Sequence, residues 1–135
     1  DVRELQPTEV VYHGESNEKW LEYLYPNGLA ITHNKPQTGN LHIVGTPGEE
    51  LEPKPVPTYK GSGGIYGDFI HCVKTRETPF RDIESAVNTA VLAHMGNIAY
   101  QLKRSLKWDV ARQEFIGDSE ANRMTDRARR EPWQL

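Results

Sequence analysis

The chain reads as an α+β domain, a mostly antiparallel sheet covered on one face by helices. Two observations carry that reading. Residues 1–60 hold short β-prone runs separated by proline and glycine turns, whereas from Ser62 apolar residues recur at the three-to-four-residue spacing of helices. Pro53, Pro55 and Pro57 mark the change, and strands that precede helices rather than alternate with them favour an antiparallel sheet. The 135 residues then divide into a strand-rich part, 1–60, a helix-rich part, 61–126, and a C-terminal arm, 127–135, all of a single domain.

Each element has its own signal. Val10, Val11 and Tyr12 are a β-prone run after Pro7, and Trp20 to Tyr25 is the aromatic-rich pattern of a half-buried strand. Pro26-Asn27-Gly28 closes a hairpin, because proline presets φ while Asn and Gly tolerate the left-handed region. Leu29 to His33 is the returning strand, and Leu41 to Val44 the next, ended by Gly45-Thr-Pro-Gly48; Leu51 is placed in a further short strand. The three prolines make 52–61 an extended connector. Ser62 is the expected N-cap of a helix whose stripe is Ile65, Phe69, Cys72 and Val73, stopped by Thr78-Pro79. A longer helix runs from about Asp82 to Arg104 on the stripe Ile83, Val87, Ala90/Val91, His94, Ile98 and Leu102. Its acidic start and basic end suit the helix dipole. Leu106 to Trp108 is extended, and a last helix follows from Asp118 to about Asp126.

Composition removes several classes of function. A net charge of −3 offers no electrostatic footprint for nucleic acid or an acidic membrane. Arg127-Ala-Arg-Arg130 lies between Asp126 and Glu131 and reads as a solvated or ion-paired face. No apolar run reaches the 18 or so residues of a membrane span. A single cysteine, Cys72, excludes an internal disulfide framework. A cytoplasmic location is favoured on these grounds, although one cysteine does not decide the compartment. The mean hydropathy of −0.71 and nine prolines point to a loop-rich soluble fold.

Candidate chemistry is sparse. Gly61-Ser-Gly-Gly-Ile-Tyr-Gly67 departs by one residue from the dinucleotide fingerprint and follows a proline-rich connector instead of a strand, so the glycines read as a turn into the helix. His94, in the middle of the long stripe, is a hydrogen-bonded core histidine or a substrate contact. Gly96 and Asn97 both cost helix propensity; Gly96 is expected to admit a neighbouring element, and Asn97 to tie down backbone. His94 and Asn97 are the two candidate substrate-binding residues. No catalytic, cofactor-binding or metal-binding residue is assigned: His13, His33, His42 and His71 lack metal-motif spacing. Asp82 and Glu84 diverge on a helix, and adjacent His71 and Cys72 do not make a nucleophilic pair. Trp108, Phe115, Pro132 and Trp133 read as anchors for the C-terminal arm.

The later half also resembles a known family. His71-Cys-Val-Lys-Thr-Arg-Glu-Thr-Pro-Phe-Arg-Asp-Ile-Glu, Ala93-His-Met-Gly-Asn-Ile-Ala-Tyr-Gln-Leu, Leu106-Lys-Trp-Asp, Phe115-Ile-Gly-Asp-Ser-Glu-Ala-Asn-Arg and Arg130-Glu-Pro-Trp-Gln-Leu135 are similar, in order and spacing, to the C-terminal end of the Gfo/Idh/MocA oxidoreductases. The resemblance is dense from Gly64 onward. It implies a C-terminal domain with a large antiparallel sheet that forms a wall of the substrate cleft and a subunit interface. It also implies an N-terminal Rossmann domain, absent from this chain, that holds NAD or NADP. The family's Glu-Lys-Pro lysine has no counterpart, since Lys35-Pro36 and Lys54-Pro55 follow Asn34 and Pro53. A His-Arg pair common early in the long helix is Val87-Asn88 here.

The expectation is therefore the C-terminal domain of an NAD(P)-dependent oxidoreductase acting on sugars, polyols or glycosides, inactive by itself and with no cofactor of its own. The alternative is a stand-alone, non-catalytic interaction or carbohydrate-binding subunit of the same fold. The expected partners of the chain are a second copy, through the uncovered sheet face around Leu21, Tyr23, Tyr25 and Leu29, the missing Rossmann domain and a small carbohydrate.

Overall fold

The computed structural model describes residues 5–15, 18–45 and 58–126, with backbone alone at 39–42. A meander opens the fold: β1 (Glu9–His13), β2 (Trp20–Leu24), β3 (Ala30–Lys35) and β4 (Gly39–Val44). The β2–β3 connection is the Pro26-Asn27-Gly28 turn. Gly28 donates to the Tyr25 carbonyl at 3.1 Å and Tyr25 to that of Leu29 at 2.9 Å, while Gly28 takes the left-handed φ of 79° that its missing Cβ permits. Two helices follow, α1 (Gly64–Thr75) and α2 (Ile83–Leu102), then β5 (Leu106–Asp109), β6 (Glu114–Phe115) and α3 (Ser119–Arg123). The strand order is β4-β3-β2-β1-β5-β6, antiparallel throughout. The sequence expects this α+β architecture; the two-residue strand β6 it does not.

Register decides which face each residue serves, because cross-strand partners share a face and neighbours alternate. Val10 pairs with Tyr23 and with Leu106, and Tyr23 pairs with Ile31. These four are buried together with Leu21, and α2 lays Met95, Ile98 and Ala99 over them. Burying each large apolar side chain stabilises the fold by about 1.5–3 kcal/mol. Gly96 is buried at this contact, where a Cβ would run into the Tyr23 hydroxyl, so the glycine admits a neighbouring element as its sequence position suggests. Sealed beneath the helix, the Tyr23 phenol is pushed up to about 12, by burial first and then by Tyr25. Leu21, Tyr23 and Tyr25 are thus core residues, exposed by 6% or less, and Leu29 packs against the same core. They do not form the uncovered sheet face expected of them. The opposite face carries Val11, Trp20, Glu22 and Leu24, all half-buried.

Both long helices turn differently from their expected stripes. In α2 the buried residues are Met95, Gly96, Ile98 and Ala99, backed by Val91, Leu92 and Leu102. Ile83 and Val87 are exposed by 76% and 45%, so the first turns overhang the sheet. Packing on Gly96 sets this rotation and turns His94 and Asn97 outward, both exposed. Asp82 stands at the helix start as expected and also caps it, its carboxylate accepting from Ser85 N and Ser85 Oγ, each at 2.8 Å. In α1 the cap is Gly63 instead of Ser62, and the buried residues are Asp68 and Cys72. Of the expected stripe only Cys72 faces inward. Ile65, Phe69 and Val73 are exposed by 45–62%, because the helix is held by its acidic side.

The holding group is Asp68, 2% exposed. Its carboxylate accepts from Lys60 N and Phe80 N, both at 2.8 Å, which buckles the segment before α1 to the segment after it. These amide donors, that of Lys60 foremost, hold the Asp68 carboxyl below its usual value. A Cβ on Gly67 would overlap the Ser62 carbonyl, and one on Gly61 the Gly67 carbonyl. The glycines therefore let the buckle close on itself.

Candidate functional site

The β5–β6 hairpin and α2 enclose a concavity with an apolar floor. On the helix, Val91, His94, Met95 and Ile98 fall at i, i+3, i+4 and i+7, one flank of the cylinder. On the hairpin, Trp108 and Phe115 are directly paired, with ring centroids 4.9 Å apart in an edge-to-face arrangement. Gln113 and Thr125 complete a cavity of about 310 Å³ lined by these residues. Its floor is well fixed. Asn122 of α3 clamps Phe115 through both backbone groups, accepting from its N–H at 2.6 Å and donating to its carbonyl at 2.9 Å.

Two glutamines and an asparagine link the hairpin to the helix. Gln6 Oε1 accepts from Trp108 Nε1 at 3.1 Å and from Gln113 Nε2 at 2.8 Å. Its amide nitrogen donates to Asn88 Oδ1 at 2.9 Å. Gln6, Asn88 and Gln113 also border a second, more open cavity of about 360 Å³ with Ile83, Glu84 and Val87. Val87-Asn88, where the resembled family often has a His-Arg pair, thus lies at the rim of a real concavity. Sequence reasoning missed Gln6 and Gln113; no local pattern marks a contact between residues 107 positions apart.

His94 lies at the wall of the first cavity and not in the core. Asn97, three residues on, is exposed and borders neither of these cavities. No hydrogen bond links either side chain to another described residue, so the backbone tie expected of Asn97 is not found. Trp108 and Phe115 are buried, at 6% and 2% exposure; the arm they are expected to anchor, with Pro132 and Trp133, and Leu51 lie outside the described residues.

At the far end of α2, Arg104 grips Asp118 with both Nε and Nη2, at 3.0 and 2.9 Å, and reaches Glu120 at 2.8 Å. Asp118 also caps α3 by accepting from Ala121 N at 2.9 Å. That N–H first, and then Arg104, hold its carboxyl below the usual range. Near α1, Lys60 pairs with Glu77 at 2.9 Å and His71 stands 3.7 Å from the same carboxylate. Burial first, and then Asp68, pushes the Cys72 thiol up, which keeps it protonated and unreactive. On the outer sheet face His13 stacks on Trp20 at 3.6 Å, accompanied by Lys35 Nζ at 4.9 Å from the ring centroid. That indole is already partnered. Among the described residues no three His, Cys, Asp or Glu side chains are grouped to hold a metal ion, and no helix is long and apolar enough to cross a membrane.

The Gly61–Gly67 segment is closed to a dinucleotide. Its concave side is filled by its own carbonyls, as the Gly61 and Gly67 overlaps show, and residues 58–60 just before it are not in a strand. It does not fit a pyrophosphate cradle.

Residues 9–135 match the family model described as oxidoreductase family, C-terminal alpha/beta domain. No curated protein and no solved structure matches the chain.

Proposed function

Because the chain belongs to the C-terminal domain family of the Gfo/Idh/MocA oxidoreductases, we propose that it is the substrate-cleft and oligomerisation domain of an NAD(P)-dependent enzyme acting on sugars, polyols or glycosides. The observation that carries this reading is the family match over 9–135. It is supported by the exposed apolar side of α1, where Tyr66 and Phe69 are 78% and 62% exposed. Continuous apolar surface of that kind is covered in a larger assembly. The nicotinamide would be held by a nucleotide-binding domain, since the glycine segment here does not fit it. When bound, that cofactor would supply the hydride chemistry. The cavities along α2, with His94 at the wall of one and Asn88 at the rim of the other, are the places in this domain where a small polyhydroxylated ligand would meet side-chain donors. Asn97 would contribute from the exposed side of the same helix turn.

Calorimetric titration of the isolated chain with NAD+, NADH, NADP+ and NADPH tests the division of labour. No binding is expected, and turnover on a panel of sugars and polyols is expected once a nucleotide-binding half of the family is supplied. Saturable micromolar binding to the chain alone would overturn this reading.

A further inference from the structure

The second cavity, about 360 Å³, lies between the first turns of α2 and the hairpin and is lined by Gln6, Ile83, Glu84, Val87, Asn88 and Gln113. Small-molecule sites run from about 300 to 1,000 Å³, so it has room for a single sugar ring. Which ligand suits it depends on the hydrogen-bonding atoms left unspent, and the amide network fixes these. An indole N–H only donates, so Trp108 Nε1 obliges Gln6 to present Oε1. Gln6 Nε2 is thereby turned to Asn88 Oδ1, which takes one of its two protons. Gln113 Nε2 gives its protons to Gln6 Oε1 and the Val110 carbonyl, at 2.8 and 2.6 Å. Its Oε1 is left to accept.

The two glutamines therefore offer one amide proton and one amide oxygen, and beside them stands the exposed Glu84 carboxylate. No lysine or arginine is among the lining residues. The nearby features that would draw an anion are already engaged. Asp82 caps the positive end of α2 through Ser85 N. Arg81 lies over the Phe80 ring at 5.5 Å, and Arg112 pairs with Glu114 at 3.4 Å. We propose that this cavity reads hydroxyl and ammonium donors, with Glu84 selecting against acidic sugars such as uronates and sugar phosphates. The substrate is then a neutral or amine-bearing sugar or polyol. This narrows the substrate class proposed above and rests on the cavity being a ligand site. An exposed carboxylate changes the affinity of a like or opposite charge by about threefold, so amine and acid forms of one sugar should differ about tenfold. Ile83 and Val87 meet the C–H face of any such ring alike and leave that ranking unchanged.

The test follows the side-chain amide signals of Gln6 and Gln113 by NMR in the intact chain. The ligands are glucose, glucosamine and glucuronate, and the matching galactose set, at millimolar concentration. In at least one set the amine and neutral forms should move these signals, with the acid about tenfold weaker than the amine. Glu84→Gln should bring acid and amine within about twofold, and added salt should narrow the gap in the wild type. Since Glu84 is exposed, the variant is expected to fold, and its backbone spectrum checks that. An acid that binds the wild type as tightly as its amine counterpart would overturn the charge selection alone. So would a gap that Glu84→Gln leaves intact. Signals unmoved by all six sugars would overturn the ligand site itself, and this inference with it.

Discussion

Gly96 and Tyr23 show how one missing methyl group positions a helix. Gly96→Ala should destabilise the fold by about 1–3 kcal/mol through overpacking. Since the nearest atom to the new Cβ is the Tyr23 hydroxyl, Tyr23→Phe should recover part of that loss. Chemical denaturation of the two single variants and the double checks it: additive costs would mean the residues do not meet. Asp68 makes a different prediction. Its carboxyl lies below the ordinary value of about 3.9 in the folded chain, so it contributes stability that is complete above the unfolded value and lost as pH falls through the folded one. Asp68→Asn should lower the Tm at neutral pH and flatten its fall on acidification. Parallel Tm–pH curves for the two proteins would show that the buckle does not titrate with folding. At this scale the sequence was informative where steric need was local, as at Gly28 and Gly96. It misplaced His94, whose setting depends on the rotation of a whole helix, and it had no means of finding Gln6.

Strands were more legible than helix faces. Alternation and the Pro26-Asn27-Gly28 turn leave little freedom for β2 and β3, because a slip of one residue would expose Tyr23 and bury Glu22. The α2 pattern is broader: Val87, Val91, Ile98 and Leu102 make one acceptable stripe and Val91, Met95, Ile98 and Leu102 another. The choice between them rests on a tertiary contact. In α1 the amphipathic pattern is real but points outward, since two amide bonds to Asp68 outweigh a stripe with nothing in the described chain to pack on. Phe69→Asp and Ile70→Asp, at exposed positions, should therefore change the stability of the chain by no more than about 0.5 kcal/mol. Phe115→Ala, in a site 2% exposed, should cost about 3–5 kcal/mol. Equal losses at 69 and 115 in a urea titration would show that α1 packs far more tightly than its exposure indicates.

For the molecule as a whole, one sheet face is covered by α2 and the other carries half-buried Val11, Trp20 and Leu24. If the chain self-associates through its sheet, as the family resemblance implies, this is the face that meets its copy. Leu24→Arg should then convert a dimer seen by light scattering at micromolar concentration into a monomer of unchanged circular dichroism. A dimer that survived the change would place the contact elsewhere. Fold class was legible at this scale because strands and helices are segregated along the chain; the sheet order was not, as no local signal announces that β5 pairs with β1. That order has a consequence during synthesis. β1 sits between β2 and β5, so one edge of an early-made strand waits for residues roughly a hundred positions later. A ribosome adding about 5–20 residues per second leaves it waiting for several seconds. Until Leu106 emerges, Val10 lies on an open strand edge, the element most prone to wrong pairing. The nascent domain is thus most vulnerable to aggregation after its meander has formed and before its last hairpin arrives.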